Sequence, residues 1–396
     1  MFVVLLCVNK KIMEQIFASD LETRLAIVKR NVEEIIGEEE LIHLMKTNQP
    51  ITHYIGFELS GKVHLGGLLC MAKVKDFMDA GFKITIFLAD IHSWLNDKLG
   101  GDLSAIREIG VEYFKEAFAA CFKCLGGDPS QLNFVLGSEL YHNNDVYWYT
   151  MLKVCKKTTL SRMKRSISIT GKQEGENVSF GLLIYPAMQA ADALVLGVTM
   201  MHSGSDQRKA HVVVRDIAPP FVDKFGVKIK PIAIHHHLLL GLTKPSIWPI
   251  PTENKQELWT TLKMSKSKPN SAIFIHDSLE EIQKKINGAF CLPNETDFNP
   301  IIDWVKHLVF EVAPFGTKVQ LTIKRDAEFG GDVVYNNYAQ LERDFKEGKL
   351  HPMDLKDALT KWLIAFLEPA RQHFASGKPK ELLEKMNALQ NKQSKN

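Results

Sequence analysis

The chain is expected to be an α/β protein, a Rossmann-like doubly wound parallel sheet followed by a mainly α-helical domain. Two observations predict this. Short strand-like runs alternate with helical ones over roughly residues 50 to 240, the pattern of a parallel sheet covered by helices on both faces. Beyond about residue 276 the apolar spacing turns helical, in "SLEEIQKKINGAF", "NPIIDWVKHLVFEV" and "MDLKDALTKWLIAFLEPARQHF". A chain of 396 residues is also too long for one ordinary hydrophobic core, which favours two domains.

The opening "MFVVLLCV" is apolar for eight residues, with its basic residues after the run. It is too short for a membrane span and poorly built for a signal peptide. Residues 1–30 are expected to be an extension plus a helix, with more ordinary sequence from Met13. Residues 19–47 are expected to be helical, capped by Ser19-Asp20, since apolar residues recur at spacings of three and four through "LETRLAIVKRNVEEII". "THYIGFEL" alternates like a strand and enters the glycine-rich turn "SGKVHLGG", after which "LLCMAKVKDFMDAG" is a helix closed by Gly81. "FKITIFLADIHSW" and "LNFVLGSEL" are the next two strands, and "VKIKPIAIHHHLLLGL" is a later one. The first domain is placed at 31–275, with a basic connective segment at about 145–185 and a lysine loop at 261–270. The helical domain is placed at 276–396, and its polar end, "NALQNKQSKN", is expected to fray.

Composition is that of a folded soluble protein, 45% hydrophobic and 24% charged. A net charge of +3 excludes a wholly basic polyanion binder, so any nucleic acid must be met by local patches. Six cysteines scattered without a secretory leader read as reduced cytosolic thiols, which places the chain in the cytoplasm. The single C-x-x-C, Cys121 to Cys124, lies in a helical run with no second pair, and a structural role outweighs zinc or redox chemistry there.

Two stretches carry chemistry. "GFELSGKVHLGG" (56–67) holds four glycines in twelve residues at a strand-to-helix turn, where backbone can approach an anion closely and His64 offers a neutral donor. It is neither a Walker A loop nor a dinucleotide fingerprint, and a tight turn with an incidental histidine remains an alternative. "KMSKS" (263–267) sets two lysines and two hydroxyls on one loop, suited to a polyphosphate whose charge is moving. Most charge runs are solvated loops, but this string should arise by chance in on the order of one in several thousand chains of this length.

Together, His64-Leu65-Gly66-Gly67 and the later K-M-S-K-S resemble the paired signatures of class I aminoacyl-tRNA synthetases. The fullest form of the first has a second histidine where Gly67 stands. The resemblance implies that Gly61, His64, Gly66, Gly67, Lys263, Met264, Ser265, Lys266 and Ser267 bind ATP, with His64, Lys263 and Lys266 catalytic.

In "IYPAMQAADALVLGVTMMHSGSDQRKAHV" (184–212), Tyr185, Gln189 and Asp192 fall at spacings of four and three on one helix face, with Gln207 following. Their neighbours are Pro, Ala and Met, so these polar groups need partners. Tyr54 lies on the strand just before the glycine turn. This pattern, with "FLADIHSWLN", "KTTLSRMKRS", "FGGDVVYNNYAQLE" and "KLHPMDLKDAL", resembles tyrosyl-tRNA synthetases of the archaeal and eukaryotic type over roughly residues 25–375. The resemblance implies that Tyr54 and Asp192 bind a substrate phenol while Tyr185, Gln189 and Gln207 hold its amino and carboxylate side. It further implies ATP and L-tyrosine as substrates, Mg2+ with the ATP phosphates, a tyrosine tRNA as partner, a homodimer and no membrane. Asp192 alone would equally serve the tryptophan branch, and a non-catalytic RNA- or nucleotide-binding paralogue is a third possibility.

For RNA, Lys156, Lys157, Arg162, Lys164 and Arg165 make a basic patch that tracks phosphates or lines another surface. By resemblance, Arg208 and Lys209 approach the acceptor stem, while Phe329, His351 and Asp354 read anticodon bases in a helical anticodon-binding domain. No metal site is expected. Adjacent histidines on a strand face opposite sides, so His235, His236 and His237 cannot share one ion, and one of them is expected to face the nucleotide crevice. Asp90 and His92 either line the ATP site or close a strand.

Overall fold

The computed structural model describes residues 21–172, 179–219, 229–245, 247–251, 253, 255–266 and 268–393. The extension at 1–12, Met13, the Ser19-Asp20 cap and Ser267 lie outside these residues.

Six strands form one sheet: β1 (Val32–Ile36), β2 (His53–Phe57), β3 (Ile86–Leu88), β4 (Phe134–Leu136), β5 (Met200–Gly204) and β6 (Ile232–His236), in the order β1-β6-β5-β2-β3-β4. Neighbours among β2 to β6 run parallel, and β1 runs antiparallel along the edge of β6. The chain therefore builds outward from β2 to β3 and β4, then returns to lay β5 and β6 on the other side. The reversal between β2 and β5 opens a crevice at their carboxyl ends, the place where open α/β sheets bind ligands.

The helices used below are α1 (Leu21–Lys29), α2 (Glu38–Lys46), α3 (Leu65–Asp79), α4 (Glu112–Cys124), α5 (Asp145–Lys157), α6 (Phe180–Val195), α7 (Arg208–Ile217), α8 (Pro352–Phe366) and α9 (Gly377–Gln393). Buried Lys73 on α3 closes the end of α1. Its ammonium donates to the carbonyls of Val28 at 2.9 Å and Arg30 at 2.6 Å and pairs with Asp76 at 3.0 Å. The carbonyls left open where α1 ends are thereby satisfied from another element.

Three expectations change. Residues 19–47 are not continuously helical: Asn31 turns left-handed at φ 55° and "VEEII" becomes β1, because its β-branched residues pair with β6 once that strand is present. β5 had no alternation to reveal it, since all five of its residues are buried and it follows α6 almost directly. The helical region also contains a hairpin, β7 (Leu321–Ile323) with β8 (Val333–Tyr335), though helices dominate there. Its core is continuous with that of the sheet: Leu68, Ile86, Trp304, Leu363 and Met386 all belong to one apolar cluster.

Candidate active site

A cleft of about 1140 Å³ opens at the carboxyl ends of β2 and β5. It gathers Tyr54, Gly66, Gly67, Tyr185, Gln189, Asp192, Gln207, His64, Lys263, Met264, Ser265 and Lys266, groups spread across more than two hundred residues of sequence.

At one end the groups are buried and aromatic. Tyr54 projects from β2, its ring 5.6 Å from Phe87. Gly56, two residues on and on the same face, makes room for it, since a methyl there would sit 2.8 Å from the Tyr54 hydroxyl. Asp192 on α6 is fully buried and accepts from the Tyr141 hydroxyl at 2.9 Å through Oδ1. Among the described residues its Oδ2 has no hydrogen-bond partner, and His92 Nε2, 3.6 Å away, has none either. Burial pushes the Asp192 carboxyl well above its usual range, against the pull of the Tyr141 and Tyr147 hydroxyls. Burial, then the Asp192 charge, raises the Tyr54 phenol. Gln189 Oε1 is a third buried acceptor without a partner among the described residues. Unpaired buried polar atoms are costly, and three converging on one space ask for a polar ligand there.

Toward the middle, Tyr185 donates to Glu58 Oε1 at 2.9 Å, and Asn96 donates to the same oxygen at 2.7 Å. Gln207 is steadied by donating to the Ile169 carbonyl at 3.0 Å. Glu58, Tyr141 and Tyr147 were missed in the sequence. Glu58 had a detectable signal, a carboxylate inside the glycine stretch, whereas Tyr141 and Tyr147 reach Asp192 only through the fold.

At the other end the surroundings are polar. His64 caps α3, its Nδ1 accepting from the Gly66 N–H at 3.0 Å. Burial, with the Lys266 and Lys263 charges, lowers its pKa, so the neutral ring carries its proton on Nε2 as a donor. Gly61 sits at φ +108° in the turn. Gly67 packs so close to Val63 that a methyl would meet it at 2.8 Å, so packing accounts for glycine where the fullest motif has histidine. The lysine loop is docked: Lys263 bridges Leu240, and the Met264 N–H donates to the Leu239 carbonyl at 2.8 Å. Lys263 pairs with Asp206 just beyond β5, and Lys266 donates to Ser60 Oγ at 3.0 Å. Burial lowers the Lys266 ammonium to about 8, opposed by the Glu58 charge.

Comparison with known proteins gives the family. The family described as tRNA synthetases class I (W and Y) matches residues 45–368. The chain belongs to that family. The tyrosine–tRNA ligase of Pyrococcus abyssi is 50% identical over 363 residues, covering 90% of this chain and 95% of that one. The Pyrobaculum calidifontis tyrosine–tRNA ligase is 45% identical over 378 residues, 93% of this chain and 98% of that one. Among solved structures, tyrosyl-tRNA synthetase complexed with L-tyrosine from Pyrococcus horikoshii superposes with a TM-score of 0.87 at 48% identity, over 93% of this chain and all of that one. Tryptophanyl-tRNA synthetase from Aeropyrum pernix, at 17% identity and a TM-score of 0.63, shares the fold.

In this class I synthetase the RNA candidates lie apart from the cleft's floor. Arg208 makes a two-pronged pair with Glu34 at 2.7 and 2.8 Å, and Lys209 donates to Ser168 Oγ at 3.3 Å. Phe329 is 66% exposed. His351 caps α8, Asp354 lies in its first turn, and Arg325 ties the two loops by donating to the carbonyls of Gly331 and Lys349. The basic patch sits at the end of α5 and the short helix after it, where Arg162 pairs with Asp216.

The three histidines divide. His235 pairs with Glu34 and contacts His211; His236 and His237 both line the cleft, where one had been expected. His236 ends a buried chain in which His53 Nε2 meets His202 Nδ1 at 3.1 Å, His202 Nε2 meets His236 Nδ1 at 2.7 Å and His236 Nε2 meets Cys70 Sγ at 3.4 Å. His237 lies between Glu33 and Asp303, 2.8 and 2.7 Å away, and stacks on His307 with ring centroids 3.6 Å apart. Three potential ligands meet here, His237, Asp303 and His307. The stacked planes, inclined by only 13°, share no point within the roughly 2 Å that an imidazole–metal bond requires, so one ion cannot take both ring lone pairs. Asp90 closes β3: it accepts from Ser138 N at 2.9 Å and pairs with Arg107, while His92 lies at the buried, aromatic end of the cleft beside Asp192.

Proposed function

We infer that the chain ligates L-tyrosine to its cognate tRNA at the expense of ATP, through a tyrosyl-adenylate. The observation that carries the choice of amino acid is the buried, unpartnered Oδ2 of Asp192 beside Tyr54. A substrate phenol supplies a hydrogen to that oxygen and takes one from Tyr54, and a site built this way rejects a bare phenyl ring by about ten-thousandfold or more. The substrate ammonium faces Glu58, Tyr185 and Gln189, with Gln207 on the carboxylate side.

The tyrosine carboxylate attacks the α-phosphate of ATP and pyrophosphate leaves. His64 Nε2–H and the backbone of Gly61, Gly66 and Gly67 hold the phosphates. Lys263, Lys266, Met264, Ser265 and Ser267 form the loop that follows the departing charge. The terminal ribose hydroxyl of tRNA then attacks the tyrosyl carbonyl and AMP leaves. Mg2+ enters with ATP as part of the substrate. Arg208 and Lys209 meet the acceptor end, Phe329 stacks on an anticodon base, and His351 and Asp354 hydrogen-bond to one.

The catalytic unit is assigned to 31–275 and the anticodon-binding unit to 276–396, sharing one continuous core. A homodimer is supported by large apolar groups left in water on α5 and beside it, Tyr149, Leu152, Leu160 and Phe180. Among the described residues no helix is long and apolar enough to cross a membrane, and the cytoplasm is the proposed location.

The test is pyrophosphate exchange into ATP, run separately with tyrosine, tryptophan and phenylalanine. Exchange with tyrosine alone is expected. Exchange with tryptophan would overturn the pocket assignment, and silence with all three would overturn the enzymatic reading.

A further inference from the structure

The polar end of the chain is helical as far as it is described. α9 continues to Gln393, held by buried Leu382 and Met386, with Leu383 and Leu389 packed on the same core. Its apolar spacing turns a second face toward the nucleotide end of the cleft. Asn387, Gln390 and Asn391, at helical spacings of three and one, form part of the cleft wall. Gln390 comes closest: a methyl on Gly61 would lie 2.3 Å from its Nε2. The neighbouring Ser60 is the residue that holds Lys266 at 3.0 Å. The amide of Gln390 and the second lysine of the loop thus flank the same two residues of the glycine turn, from opposite ends of the sequence.

We propose that α9 completes the ATP site, with Gln390 and Asn387 acting as positioning residues whose side-chain amides donate to the polyphosphate. The chemistry fits the place. An amide N–H binds a phosphate oxygen without adding charge, so it does not compete with Lys263 for Asp206 or draw Glu58 toward it. The loop lysines can then move with the pyrophosphate while the amides stay fixed on a helix anchored in the core.

This inference rests on the ATP-binding reading of the cleft, which exchange activity of the unaltered chain with tyrosine tests first and by itself. The full-length variants Gln390→Ala, Asn387→Ala and the double variant are then compared in the same assay. A neutral hydrogen bond is worth about threefold to tenfold in affinity. KM for ATP and for pyrophosphate should each rise by about that factor per amide, with KM for tyrosine and the thermal midpoint unchanged. Gln390→Glu should raise KM for ATP further than Gln390→Ala, because it places a carboxylate beside the phosphates. An ATP KM within twofold of the unaltered chain in the double variant would overturn the proposal. So would a rise for ATP without one for pyrophosphate, or equal rises for ATP and tyrosine with a lower thermal midpoint.

Discussion

The two ends of the cleft solve opposite problems. The proposed tyrosine end is drawn from β2 and α6, is closed over by Tyr141, Tyr147 and Phe87, and holds the buried acceptors Asp192 Oδ2 and Gln189 Oε1 for a polar ligand. The proposed ATP end is drawn from the glycine turn and the lysine loop, with α9 along its wall, and keeps its two lysines in contacts they can exchange, with Asp206 and Ser60. Discrimination between similar side chains needs rigid, desolvated groups whose hydrogen bonds cannot be replaced by water. Stabilising a charge that travels from substrate to leaving group needs cations able to follow it. One crevice accommodates both because the order of strand addition reverses at β2, with β3 and β4 laid on one side of it and β5 and β6 on the other.

The contrast can be broken most sharply at Lys266. Lys266→Ala should lower kcat for adenylate formation by about a hundredfold to a thousandfold, as removal of a transition-state donor does, while leaving KM for tyrosine within about threefold. A comparable loss in tyrosine binding would mean the two ends are not separable. Asp192→Asn keeps the shape and removes the charge acceptor. It should lower kcat/KM for tyrosine by about a hundredfold and shrink the preference over phenylalanine, as measured by exchange with each. Glu58→Gln should raise KM for tyrosine by about tenfold with little change in KM for ATP, since it weakens an ammonium contact and leaves the Tyr185 bond possible.

A separate readout of the contrast is stability against pH. Burial lowers His53 and His236 to about 3, and both are neutral in the folded chain. Unfolded, they bind protons near pH 6.5. Their contribution is therefore complete above 6.5 and is lost as pH falls toward 3, by about 1.4 kcal/mol per pH unit for each. His237 has the opposite sign. Burial lowers it, but Asp303 and Glu33 outweigh that and raise it to about 9, so its contribution is complete below 6.5 and is lost as pH rises through 9. Urea midpoints taken from pH 5 to pH 9 should peak near neutrality, with the steeper limb on the acid side. A flat acid limb would show that the histidine chain beneath the sheet is not held neutral.

Much of this was legible in the residues themselves. The alternation of strands and helices fixed the class of fold, because period-two and period-3.6 patterns are local. The turn at His64, the loop at Lys263 and the α6 face bearing Tyr185, Gln189 and Asp192 could be found because each is a short contiguous string. What only the tertiary structure decided was partnership across long separations. "VEEII" carries no instruction to leave its helix until β6 offers a ladder, and β5, Met-Met-His-Ser-Gly, is buried on both faces and so has no polar–apolar period to display. Tyr141 and Tyr147 look ordinary until folding places them against Asp192. The polar tail at Asn387 and Gln390 reads as solvated chain, since amides on a helix signal nothing by themselves. It becomes a wall of the cleft because Leu382 and Met386 anchor it in a core assembled from the whole length of the protein.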